Sequence, residues 1–497
     1  MNYRKLFTKE LISLYLIVLV GAFLRLWGTY TNSFAFTYDV GRDMLALGNI
    51  VHLHKIPLIG ATTGLPGIFY GPWWYYLLTP FFIIFSGNPQ GIALTMSLIG
   101  ILTIIAGFIL GKKLGGNFLG LTLAALISVS GNLISLSAQI WNPNIAPLFI
   151  IFILLVLFKI YKKEKGDKSK YYFLLGLLLA FNIDLEIVFG LLLSIGIVFS
   201  VIFINKRLIT LKNIFFFILG ALIIFSPRIF FELRHQFLMT KSFIGFFSGG
   251  GSSSVSKTPE ILLNRANMLF DQFNSTLALD NRLLGLAILI FIALCLIFLF
   301  KKVDKNIRNF TTTSLIVIFV FLIGTIFFSH DIWPHYLVGL PVFYILLFGI
   351  SIYLLGNLTS IYLPILIVLA VYVINLNPLT VYNSVTKPLW IGDASVYRNQ
   401  LAVVDYVYRQ ANGKNFKYVV YTPPVYDYTY QYLFMWYGPK KYHYFPSVQS
   451  NLAYFILEPD YQNPQRLTDW LKQRSGDGKI INSERLASGI IVQTRIH

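Results

Sequence analysis

The stretch Gly71-Pro72-Trp73-Trp74-Tyr75-Tyr76-Leu77-Leu78-Thr79-Pro80-Phe81-Phe82-Ile83-Ile84-Phe85-Ser86 decides how this chain is folded. It is apolar but only 16 residues long, short of the ~20 that a helix needs to cross a bilayer. Pro72 and Pro80 interrupt it, and it opens with four aromatic residues of the kind that gather at the membrane surface. Counted as a crossing, it would put Lys112-Lys113, Lys162 to Lys170 and Lys301 to Arg308 outside, against the preference of Lys and Arg for the cytoplasmic side. Read instead as a helix lying on the outer surface or dipping into it, it leaves every strongly basic loop inside.

The composition agrees with that setting. Of 497 residues, 56% are hydrophobic, 16% aromatic and only 12% charged, and the mean hydropathy is +0.67. Soluble domains carry about 25% charged residues, so a soluble enzyme and a disordered chain are both excluded. The net charge of +19 lies in short runs between apolar segments and reads as membrane topology, with no nucleic acid as partner. The one cysteine, Cys295, allows no disulfide within the chain.

About eleven spans follow, near 11 to 28, 91 to 111, 118 to 137, 145 to 161, 171 to 182, 187 to 205, 213 to 231, 282 to 300, 311 to 329, 337 to 355 and 361 to 377. The N-terminus is cytoplasmic on this reading. The loops 29 to 90 and 232 to 281 and three short connections face outward around a cavity. From Leu379 onward Asp, Arg, Gln and Asn return. The division is therefore a membrane domain over 1 to 378 and a soluble α/β domain over 379 to 497 outside the cell. In the latter, helices are expected over 397 to 411, 428 to 437 and 464 to 472. Strands are expected over 417 to 421 and 452 to 457, with a closing hairpin turning at Ala487-Ser488. The tract Gly249 to Ser254 reads as a loop tip. The fold class is thus an all-α polytopic bundle with interfacial helices in the first outer loop and a small α/β tail.

Ionisable residues beside a span need a reason. In Tyr38-Asp39-Val40-Gly41-Arg42-Asp43, the acids stand at i and i+4 with Arg42 able to bridge them. Either they satisfy a helix dipole, or one of them is a general base at the membrane surface. Arg234 and His235 close a span and suit a phosphate, or they anchor at the interface while Arg228 and Glu232 pair at i and i+4. Asp184 and Glu186 bind sugar hydroxyls or face water, and Asn142 and Asn144 cap a broken helix or touch sugar. His330, Asp331 and His335 make a thin metal set, so substrate contact or anchoring, with Tyr336, is the preferred reading.

In order and in side of the membrane, these motifs resemble the polytopic C-type fold glycosyltransferases, which include the protein O-mannosyltransferases and the aminoarabinose transferases acting on lipid A. The resembling residues are Arg25-Leu26, Tyr38-Asp39-x-x-Arg42-Asp43, Tyr70 to Leu78, Trp141 to Asn144, Phe231 to His235 and His335-Tyr336, within about 10 to 375. The resemblance implies a membrane enzyme that uses a polyprenyl-phosphate sugar and an acceptor that is a glycan, lipid or protein. Tyr70 stands where the aminoarabinose transferases have a lysine, and Val40 follows Asp39 where the family often has a second acid. The resemblance assigns no certain cofactor, and a divalent cation has weak support. The chemistry needs one base for the acceptor proton and cations for the departing phosphate. Asp39 is the expected base of an inverting single displacement. The competing reading is a polytopic transporter or flippase, which calls for inverted halves and midplane charges that the sequence does not display.

Overall fold

In this computed structural model the chain is described over residues 9–162, 166–248, 258–299, 303–327, 332–377, 393–423, 425–486 and 488–496. His330 and Asp331, the tract 249 to 254, Lys163, Lys302, Ala487 and the boundary at 379 lie outside the described residues.

The decisive stretch forms α3 (Trp73–Ile84), 12 residues long, or about 18 Å at 1.5 Å per residue, against ~30 Å of hydrocarbon. It is too short to cross. Before it come α1 (Lys9–Tyr30) and the amphipathic α2 (Tyr38–Leu53). After it, α4 (Pro89–Val129) holds the expected span 91 to 111 and the first part of that at 118 to 137. Its helical geometry breaks at Gly115 and at Gly116, where φ is +77°. The arms fold back so closely that a Cβ on Gly111 would meet the Gly120 Cα at 2.8 Å. Only glycines allow that approach.

The bundle continues with α5 (Gly131–Ala138), α6 (Ala146–Tyr161), α7 (Ser169–Leu185), α8 (Ile187–Asn205), α9 (Leu211–Arg234) and α10 (Leu238–Ser248). It is completed by α11 (Thr258–Leu277), α12 (Arg282–Leu299), α13 (Lys305–Ile326), α14 (Leu340–Gly356) and α15 (Tyr362–Asn375). Among the described residues, 7 helices are long and apolar enough to cross a membrane, or 8 if α11 and α12, bent by 94°, make one span. The expected count of about eleven is therefore not confirmed. Part of the difference is that α4 counts once though it turns back on itself. Part is that α7, with 17 residues, and α15, with 14, are shorter than a full crossing.

A charge buried among these helices needs partners, and Arg25 of α1 has them. Its guanidinium donates to Ser137 Oγ at 3.2 Å, to the carbonyls of Gly21 and Ser128 at 3.0 Å and to that of Ile127 at 2.9 Å. The last two carbonyls belong to the end of α4, where the helix gives way to α5 and the backbone acceptors lose their own partners.

The tail has the expected elements: α16 (Tyr397–Ala411), β1 (Lys417–Tyr421), α17 (Tyr428–Tyr442), β2 (Leu452–Leu457), α18 (Pro464–Gln473), β3 (Lys479–Arg485) and β4 (Ile491–Ile496). The sheet order is β1-β2-β4-β3, with β1 and β2 parallel and the other pairs antiparallel. The tail does not pack on itself alone. A single apolar core runs from Phe36, Val40, Met44, Trp74 and Leu78 of the first loop into Tyr397, Val404, Tyr430 and Leu433 of the tail. Backbone hydrogen bonds join the two, Phe36 N–H donating to Ser395 O at 2.7 Å and Tyr397 N–H donating to Phe34 O at 3.0 Å. At Gly41 a Cβ would lie 2.4 Å from the Thr429 N, so α2 rests directly on the start of α17.

Candidate active site

Helix α2 begins at Tyr38 after an extended Thr37, which puts Asp39 in its first turn, where the helix dipole favours a carboxylate. The i, i+3, i+4 spacing brings Asp39, Arg42 and Asp43 together as expected. Arg42 Nη1 donates to Asp39 Oδ1 at 2.7 Å, while its Nη2 and Nε donate to Asp43 Oδ1 at 2.9 and 3.1 Å. The two acids are then treated differently. Asp43 is buried and also accepts from Trp74 Nε1 at 2.9 Å and Tyr75 OH at 3.1 Å, so the aromatic opening of α3 holds it in place. Asp39 keeps a quarter of its side chain exposed (26%). Burial raises its carboxyl above the ordinary range and Arg42 draws it back down.

Asp39 faces a cavity of about 1370 Å³ with a mainly apolar wall supplied by α8, α9 and α10. Arg42, Tyr70, Asn142, Glu186, Arg228, His335 and Tyr336 share that wall. Glu186 caps α8 through the Val188 N–H at 3.3 Å. Its burial pushes the carboxyl up to about 7, with the Tyr70 hydroxyl acting in the opposite direction. His335 Nε2 stands 3.9 Å from Glu186 Oε2, and its ring packs edge-on against Trp141 at 4.9 Å between centroids.

Besides the buried Asp43, three expected site residues lie off the cavity wall. Asp184 is fully buried behind the wall, paired with Arg228 at 3.0 Å and accepting from Trp73 N at 3.1 Å. It fastens α3 to α7 and α9. Arg234 and His235 stand at the exposed end of α9 and do not line the cavity. The sequence pairing of Arg228 with Glu232 does not form, because Glu232 instead accepts from Met239 N and Thr240 N at the start of α10, at 2.8 and 2.9 Å.

Arg228 is the cation that sequence reasoning missed. It lines the cavity, and its Nε has no hydrogen-bond partner among the described residues. The space between Asp39 and Asp43 is taken by the Arg42 guanidinium. Among the described residues no three His, Cys, Asp or Glu side chains converge on one point.

A helical bundle with an acidic helix beside an apolar cavity, and a small α/β tail packed on that helix, is similar in fold to solved structures of ArnT and of an archaeal oligosaccharyltransferase. Residues 70–231 match the family described as dolichyl-phosphate-mannose-protein mannosyltransferase. The chain superposes on ArnT from Cupriavidus metallidurans bound to undecaprenyl phosphate with a TM-score of 0.59 at 10% identity, covering 99% of this chain and 98% of that one. The apo state of the same protein gives 0.52 at 10% identity over 91% and 97%. The Archaeoglobus fulgidus oligosaccharyltransferase in complex with Zn and sulfate gives 0.53 at 13% identity over 84% of this chain and 61% of that one. The resemblance read from the sequence motifs is thereby borne out at the level of fold. No curated protein sequence matches the chain.

Proposed function

We propose that this protein transfers a sugar from a polyprenyl-phosphate carrier to an acceptor at the outer face of the membrane, by a single displacement with inversion. The observation that carries the reading is Asp39, a half-buried carboxylate with one ion-pair partner, at the wall of an apolar cavity that also holds Arg228. The apolar wall suits the prenyl tail. Arg228, ion-paired with Asp184 through Nη2 and with its Nε donor not used by the described residues, suits the phosphate. Tyr70, Glu186, His335 and Tyr336 are then the sugar contacts, and Asp43 positions Arg42. In the displacement the acceptor oxygen attacks the anomeric carbon, the carbon–oxygen bond to phosphate breaks, the phosphate leaves with the electron pair and Asp39 takes the acceptor proton.

The same reading orients the chain. Lys112 and Lys113 at the turn of α4 face the cytoplasm, while α3 and the tail face outward, as the basic loops require. It is tested by supplying purified protein with defined polyprenyl-phosphate sugars and, separately, nucleotide sugars. Transfer is expected from the lipid donors only, and use of nucleotide sugars alone would remove the carrier-lipid reading.

A further inference from the structure

The wall that carries Asp39 has a second side. A cavity of about 690 Å³ lies between the start of α2 and the tail. It shares Tyr38, Asp39 and Trp141 with the larger cavity. Its other lining is of a different kind: the rings of Tyr426 and Tyr461, the carboxyls of Asp393 and Glu458, and the amides of Gln139 and Gln400. Among the described residues the lining includes no Lys, Arg or His. Among those residues a phosphate or carboxylate would find no counter-charge and would meet three carboxyl groups, counting Asp39. Aromatic faces combined with fixed oxygen acceptors instead fit a neutral polyol, whose ring C–H groups pack on tyrosine while its hydroxyls donate.

A second observation points to a ligand. Gln400 is only 3% exposed. Its Nε2 donates to Glu458 Oε1 at 3.3 Å, but its Oε1 is buried with no hydrogen-bond partner. A buried acceptor left unmatched is unfavourable by about 1–3 kcal/mol, so it calls for a donor. Tyr430 also donates to Glu458 Oε1, at 2.9 Å. Both bonds therefore land on one carboxyl oxygen, and the other keeps its acceptor capacity. Burial pushes the Glu458 carboxyl up to about 7, so near neutrality it can meet a hydroxyl as donor or as acceptor.

We propose that this cavity is the acceptor site and that the acceptor is a neutral saccharide, presented with one hydroxyl at Asp39 across the wall the two cavities share. This rests on the glycosyl-transfer reading above. The donor's anomeric carbon then enters from the apolar side and the acceptor oxygen from the polar side, so the two meet at the one carboxylate common to both.

The test uses the full-length protein in detergent on an array of neutral, phosphorylated and aminated glycans and of unmodified peptides, with undecaprenyl phosphate binding measured on the same preparations. Neutral glycans are expected to bind. Tyr461→Ala, at a side chain that is 78% exposed, should weaken that binding by about tenfold with undecaprenyl phosphate binding and melting temperature unchanged. Gln400→Leu, which removes the unmatched acceptor, should weaken glycan binding without lowering the melting temperature. A preference for phosphorylated or aminated glycans or for peptides would overturn the proposal, as would no glycan binding at all or equal binding by wild type and both variants. Loss of undecaprenyl phosphate binding with neutral-glycan binding intact would instead remove the donor reading and leave a saccharide site.

Discussion

The two sides of Asp39 differ in kind. Toward α8, α9 and α10 the wall is apolar with an arginine whose side chain is 12% exposed. Toward the tail it holds carboxyls, amides and tyrosines with no cation among the described residues. A carboxylate at such a boundary can serve two substrates that never share a solvent. On the proposed reading the lipid phosphate has a hydrocarbon approach and a guanidinium, and the polar partner has hydroxyl-binding oxygens. The division of labour lies in the lining, since the same residue faces both.

Breaking the boundary itself should have the largest effect. Asp39→Asn keeps size and hydrogen bonding but cannot accept a proton, so turnover should fall by a factor on the order of 10²–10⁴ with undecaprenyl phosphate binding little changed. Normal turnover in a variant that merely melts earlier would reduce Asp39 to a helix-start acid. Asp43→Asn should cost less turnover than Asp39→Asn, since Asp43 acts through Arg42.

On the apolar side alone, Arg228→Lys keeps a charge but not the planar fork, and should weaken lipid-phosphate binding by about tenfold while neutral-glycan binding stays as it was. An equal loss of both would mean that Arg228 only holds the wall together.

The smallest effect sharpens the polar side. Glu458 holds its proton in the folded protein up to about 7 against an ordinary value of 4.5. The folded state therefore binds more protons than the unfolded one between those values. The stability this gives is complete below pH 4.5 and is lost as pH rises through 7. The melting temperature should decline from pH 5 to pH 8, and Glu458→Gln should flatten part of that decline. Glu186, also pushed up to about 7, accounts for a further part. A slope unchanged in Glu458→Gln would place the carboxyl in contact with water.

The bridge of Arg42 between Asp39 and Asp43 was legible because one helix sets it by spacing. The elements of the tail were legible too, because alternation and caps are local. Arg228 was not. Its partner on the same helix face, Glu232, is visible in the sequence, whereas Asp184 comes from another helix. That contact depends on α7 and α9 packing at glycine distance, where a Cβ on Gly176 would lie 2.0 Å from the Phe217 carbonyl and one on Gly220 would lie 2.1 Å from that of Phe173. Small residues on neighbouring spans are the signal that points to such an approach. The core shared by loop and tail was hidden for a different reason. Tyr397 and Tyr430 have the spacing of an ordinary soluble helix, and nothing local says that the surface they pack on lies more than three hundred positions earlier.

Gly41 bears on how such a chain can change over generations. With the Thr429 backbone pressed against the bare face of α2, a side chain at 41 is acceptable only if the start of α17 moves away. The tail is therefore not a detachable module that lineages can trade. A hybrid carrying another protein's tail should lose its acidic helix along with its own, and tolerated substitutions at 41 and near 429 should be inherited as matched pairs.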